Sequence, residues 1–201
     1  MTSTSGPGFV GRKGDDAGVR QMERRELVKQ FVMGRDIASM MTYPVNLDAT
    51  GLQFAVVVAR FNHMISTRLL QGCSETFCEL GGRLEDLHVA WVPGAFEIPQ
   101  AARMLAQSGR YNAIVTLGSV IRGGTPHFDY VCNGVTDGVR EVMRDTGVPV
   151  SFGVLTVNDI DQAMDRAGGC EGNKGADVTR AAVEMANLCP SLAKAPPSED
   201  V

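Results

Sequence analysis

The chain has 201 residues, 44% hydrophobic and 21% charged, with 19 Lys and Arg against 23 Asp and Glu for a formal net charge of -4. That length suits one globular domain with an appendage, and the slight acidic excess argues against a dedicated nucleic-acid binder, whose footprint is basic. The longest unbroken apolar run, residues 54–59, is far short of the roughly 20 residues of a membrane span, and five cysteines without CxxC spacing argue for reduced thiols in the cytoplasm over a disulfide framework or zinc site.

Residues 1–39 differ in composition from the rest. They open with Gly, Ser, Thr and Pro, then turn charged, with seven basic residues against five acidic ones. A secretory signal needs an apolar stretch before its cleavage site, and a transit peptide should be poor in acids; neither description fits. The segment is expected to be a flexible extension, with 21–33 able to form a short helix through Met22, Leu27, Val28, Phe31 and Val32. A central domain is placed at 40–190 and a disordered tail at 191–201.

Residues 54–59 (FAVVVA) are apolar and rich in valine, which predicts a buried parallel strand. Helical spacing follows over 64–80 at Ile65, Leu69, Leu70, Cys73, Phe77 and Leu80, and Gly81 and Gly82 end it. A second strand is predicted over 88–92, ending at Pro93 and Gly94. The next helix, 97–108, tolerates Pro99 because it falls in the first turn. A third strand over 113–117, a helix over 133–145, a fourth strand over 148–155 and helices over 159–167 and 176–188 complete the pattern. Strand alternating with helix predicts an α/β fold, an open parallel sheet covered on both faces.

In such a sheet, ligands bind beyond the carboxyl ends of the strands. Four predicted strand ends carry polar, aromatic or glycine residues: 60–62, 93–97, 118–127, and Phe152 with Thr156. The glycines near 118–125 have neither GxGxxG nor GxxxxGK[ST] spacing, so neither a dinucleotide site nor a P-loop is expected. Of three histidines, His127 alone lies in the Gly-rich strand-end loop; on its own it fits a backbone-capping role better than a chemical one.

Five segments in order carry a family resemblance: ARFN at 59–62, VPGAFEIP at 92–99, LGSVIRGGTPHFDYV at 117–131, FGVLT at 152–156 and GNKG at 172–175. From about residue 40 to 190 the chain resembles the lumazine synthases. The resemblance implies a flavodoxin-like three-layer sandwich with a four-stranded parallel sheet in order 2-1-3-4. It also implies condensation of 5-amino-6-ribitylamino-2,4(1H,3H)-pyrimidinedione with 3,4-dihydroxy-2-butanone 4-phosphate. The product is 6,7-dimethyl-8-ribityllumazine, the riboflavin precursor, formed with loss of phosphate and water and without cofactor or metal.

Roles follow residue by residue from that resemblance. His127 becomes the proton shuttle, since imidazole titrates near neutrality; His63 and His88 are left at surface or structural positions. Phe61 stacks on the pyrimidine ring, as does Phe152, each with core packing as its alternative. Glu97 bonds ribityl hydroxyls, where by itself it would simply complement a helix dipole. Ala95 and Phe96 line the same pocket, as do Ser119, Val120 and Ile121 through backbone groups, and Lys174 contacts substrate. Arg166 clamps phosphate with its guanidinium fork. Gly124 and Thr125 supply an anion nest, and Arg122 is structural.

The resemblance further implies a ring of five subunits whose sites lie at the junctions, since a heterologous contact can close on itself. The loop 168–175 matches in length those members in which twelve pentamers form a shell, and the shell is favoured over a free pentamer. Pro44 points the other way, because proline removes a donor from the strand that would pair with a neighbour's sheet. Association with riboflavin synthase is a further partner to test, whereas nucleic acid and membrane are not expected. The rival reading is a flavin-binding, lumazine-binding or shell protein of the same fold without catalysis. Intact Phe61, Glu97, His127 and Arg166 argue against it.

Overall fold

Strand β1 (Phe54–Ala59) is buried at every position, as a central strand covered on both faces must be. Alternate side chains point to opposite faces. Phe54, Val56 and Val58 therefore enter one core, while Ala55, Val57 and Ala59 enter another. The computed structural model describes residues 42–194. The extension predicted over 1–39, with its short helix, and the tail from 195 lie outside the described residues.

Strand β1 pairs in parallel with β2 (Leu87–Val92) on one side and β3 (Ala113–Ile121) on the other, Phe54 lying opposite both Leu87 and Ala113. Strand β4 (Val150–Val157) extends the sheet beyond β3, giving the order β2-β1-β3-β4. Helices α1 (His63–Glu79) and α5 (Lys174–Ala193) pack on the Phe54 face, and α2 (Ile98–Gln107) and α3 (His127–Thr146) on the Ala55 face. The short α4 (Ile160–Asp165) follows β4. This is the flavodoxin-like three-layer sandwich in the order the family resemblance implies.

Helix α1 shows how sequence sets an element. Ile65, Leu69, Cys73 and Phe77 recur every four residues, and all four are buried. Each large apolar side chain so buried contributes about 1.5–3 kcal/mol. Phe77 packs down onto Phe54 on the same face of the sheet, at 5.0 Å between ring centroids. At the carboxyl end, Gly81 takes a positive φ of 94°, and the amides of Gly81 and Gly82 donate to the carbonyls of Cys78 and Phe77. That pair of bonds stops the helix where the two glycines predict it. Burial pushes the Cys73 thiol up to about 11, so it stays neutral at ordinary pH. Alkylation with iodoacetamide at pH 8 should spare Cys73 in the native protein and label it after denaturation. Native labelling of Cys73, read by mass spectrometry, would contradict this packing.

Several boundaries differ from the sequence expectation. Strand β3 runs to Ile121 instead of 117, because Ser119, Val120 and Ile121 continue the ladder with Leu155, Thr156 and Val157. Helix α3 begins at His127, six residues before the expected 133. Pro126 sits at its amino cap, with φ −62° already helical, and Asp129 lies in the first turn. The helix expected over 159–167 stops at Asp165, and a small antiparallel hairpin follows, β5 (Ala167–Gly169) with β6 (Gly172–Asn173). Finally, α5 starts at Lys174, where the Asn173 side chain accepts from the amides of Gly175 and Ala176. It continues through Pro190 to Ala193, past the predicted start of the tail. Pro190 falls in the last turn and removes the N–H that would donate to the Ala186 carbonyl.

Two glycines bring α3 close to the start of α2 and the turn before it. A Cβ on Gly134 would run into the ring of Phe96, and one on Gly138 would lie 2.6 Å from Pro99. Among the described residues no helix is long and apolar enough to cross a membrane.

Candidate functional site

The rim at the strand ends is built from three turns. After β1, the amides of Arg60 and Phe61 donate to the carbonyls of Val92 and Pro93, at 2.8 and 3.0 Å, carrying the ladder past the strand. Asn62 then turns the chain in the left-handed region, φ 59°, and its Nδ2 donates to the Ser119 carbonyl at 2.9 Å. Phe61 is thus pinned between the ends of β2 and β3 with its ring 72% exposed. The core-packing alternative for Phe61 is excluded.

After β2, a single 3-10 turn, Ala95–Glu97, leads into α2. Ala95 is buried, Phe96 lies over Gly134 yet remains 60% exposed, and Glu97 is exposed with its carboxylate turned toward Gly94. After β3, the loop 122–126 leads to His127, the first residue of α3. Ser119 is 3% exposed, and its Oγ has no hydrogen-bond partner among the described residues.

These turns enclose one cavity of about 610 Å³. Phe61, Ala95, Phe96, Glu97, Ser119, Val120, Ile121, Thr125 and His127 all line it, so nine of the residues chosen from sequence converge. Gly124 sits in the same loop between two lining residues, Gly123 and Thr125. Sequence reasoning missed Gly94, Gly123, Phe128, Tyr130 and Val131. The last three follow from the early start of α3. On a helix, positions three and four after His127 share its side, and Tyr130, 73% exposed, and Val131 occupy them. The signal was Pro126 before His127. The Cys132 thiol, in the same stretch, is pushed above its ordinary value, mainly by partial burial and then by Asp129.

The other three chosen residues lie elsewhere. Phe152, Arg166 and Lys174 line a separate hollow of about 300 Å³ along the free edge of β4, with Thr156 and Val178. Phe152 is 37% exposed, which again excludes a core role. Arg166 ends α4, its Nη1 donating to the Gln162 carbonyl at 3.1 Å, and the Gln162 side chain in turn accepts from the Asn158 amide. Lys174 Nζ pairs with Asp177 at 2.7 Å. Within one chain the two sets do not share a cavity.

The larger cavity offers aromatic faces for a planar ring, a carboxylate for hydroxyl donors and an imidazole for proton transfer. The smaller hollow offers two cations and a further aromatic ring. Among the described residues no group of three His, Cys, Asp or Glu side chains is placed to hold a metal ion.

Together these features define a flavodoxin-like α/β protein with a small-molecule site at the carboxyl ends of its parallel strands. Residues 51–190 match the family model of 6,7-dimethyl-8-ribityllumazine synthase. The chain belongs to that family, and the matched span holds the whole sheet and both hollows.

Proposed function

We propose that the protein condenses 5-amino-6-ribitylamino-2,4(1H,3H)-pyrimidinedione with 3,4-dihydroxy-2-butanone 4-phosphate to give 6,7-dimethyl-8-ribityllumazine, phosphate and water. One arrangement carries this reading: Phe61, Glu97 and His127, from three different strand ends, face a single cavity. In it, the pyrimidine stacks on the Phe61 ring and the ribityl hydroxyls donate to Glu97. The pyrimidine amine attacks the ketone and water leaves to form the imine. Phosphate is then eliminated, and the second amine closes the ring with loss of a further water. Each step moves protons between carbon, nitrogen and oxygen, and His127 is placed to carry them. Holding both reactants in register supplies much of the remaining acceleration.

The phosphate group is held by Arg166 of the adjacent subunit in a ring of five, where Lys174 contacts the pyrimidine substrate, with the loop amides of Gly124 and Thr125 opposite. The separation of the two residue sets within one chain supports this, since neither hollow holds all the chemistry. Twelve such rings forming a cytoplasmic shell is the assembly in view. Purified protein given both substrates should generate lumazine fluorescence together with stoichiometric phosphate. Tight binding of lumazine or flavin without turnover would instead establish the non-catalytic binder. A hollow particle by electron microscopy supports the shell, and a stable active monomer would overturn both the shell and the shared site.

A further inference from the structure

Arg122 follows the last residue of β3 and makes four contacts that together link the end of β4 to the first turn of α3. Its amide donates to the Val157 carbonyl at 2.9 Å, continuing the β3–β4 ladder by one bond. Its side chain then reaches across the loop in two directions. Nε donates to Asn158 Oδ1 at 3.3 Å, just past the end of β4, and Nη2 pairs with Asp129 Oδ1 at 3.2 Å, in the first turn of α3. Between these, the guanidinium lies over the Phe128 ring, 4.1 Å from its centroid.

Each of these contacts is exposed, and alone each is weak. Their joint geometry is what matters. Arg122 grips the two residues that directly follow His127, and it is itself held to the sheet through Val157 and Asn158. The intervening loop has little stiffness of its own, since Gly123 and Gly124 are both open to space. Among the described hydrogen bonds and ion pairs, only those of Arg122 tie that first turn to the end of β4. Arg122 lines neither hollow, so it acts through its neighbours and not on a ligand.

We propose that Arg122 is a positioning residue, which sets His127 and the loop 123–125 by clasping the first turn of α3 to the end of β4. This rests on the reading of His127 as the proton shuttle. A planar guanidinium is suited to the part because it stacks and forks at once, which a lysine cannot do. A displacement of about 1 Å at a reacting group is enough to cost on the order of 10²-fold in rate.

The test is steady-state kinetics on the full-length protein with both substrates varied. Arg122→Gln should lower kcat roughly 10- to 100-fold and raise KM for the phosphate substrate. KM for the pyrimidine should stay within about twofold, because the Phe61 turn is held by Val92, Pro93 and Ser119 and not by α3, and the melting midpoint should stay near that of the parent. Arg122→Lys should recover only part of kcat. Asn158→Ala, which removes one anchor of the clasp and touches neither hollow, should show the same split at smaller size. Should Arg122→Gln fail to fold, Arg122→Lys and Asn158→Ala decide the matter. An unchanged kcat in these variants, while His127→Ala is inactive, overturns the positioning role alone. Equal rises in both KM values that track a fallen melting midpoint overturn it in favour of a merely structural arginine. A parent protein that forms no lumazine removes the reading of His127, and this inference with it.

Discussion

Replacing His127 by alanine is expected to lower kcat by about 10²- to 10⁴-fold, the range for loss of one acid–base group, with little change in affinity for the pyrimidine. The reason lies in how the cavity is divided. Phe61 and Glu97 approach from the ends of β1 and β2, and the bonds that hold the Phe61 turn run to Val92, Pro93 and Ser119. None of these involves α3. Removing the imidazole therefore leaves the stacking face and the carboxylate in place. The measurement is turnover by lumazine fluorescence beside pyrimidine binding by calorimetry. Turnover at the parent rate would take His127 out of the chemistry, and parallel loss of binding would give it a structural part instead.

Arg166→Ala should act on the other substrate. A charge-assisted hydrogen bond to an ionised partner contributes about 1.5–3 kcal/mol. Its removal should raise KM for the phosphate substrate, and the inhibition constant of inorganic phosphate, by roughly 10- to 100-fold. Affinity for the pyrimidine should hold, and equal losses for both ligands would contradict the clamp. The same variant tests whether sites are shared. If His127 and Arg166 of one site come from neighbouring subunits, mixing equal amounts of His127→Ala and Arg166→Ala proteins creates junctions with both groups intact. Random exchange around a closed ring places these at about one junction in four, so activity should return toward a quarter of the parent value. No recovery, after mass spectrometry confirms subunit exchange, would show that each chain carries its own site.

The sheet was legible from residues 54–59 because a run apolar at every position suits only a strand covered on both faces, and that run proved to be β1. The pocket was legible at Phe61, Glu97 and His127, since ligand sites of open α/β sheets gather where strands end. Helix starts were harder to read. Residues 127–132 carry Phe128, Asp129 and Tyr130, which face the cavity mouth or solvent and so break the apolar rhythm on which the helix prediction over 133–145 relied. The end of β3 was missed for a related reason: Gly118 and Ser119 look like loop residues, yet Gly118 lies against Ala59 and Ser119 is buried at the cavity floor. The β5–β6 hairpin has no periodicity to read at all, being five residues of mostly glycine. Separation of Phe152, Arg166 and Lys174 from the main cavity was anticipated through the family resemblance, which puts sites at junctions between subunits, and chain order alone does not carry it.

The close approach at Gly134 and Gly138 has a bearing on how the molecule assembles itself. Each glycine in a helix interior forgoes about 1 kcal/mol of helix propensity relative to alanine, and α3 carries both, along with several β-branched residues. Such a segment has little tendency to coil on its own. It becomes helical when Val135, Val139 and Val142 find the sheet and when Phe96 and Pro99 settle onto the two bare positions. The wall that carries His127 is thus completed by tertiary docking, in the same event that seats the turn bearing Glu97. A partly folded chain, even one with β1 and α1 already joined, has no binding cleft to offer, so ligand recognition reports on the fully folded state alone.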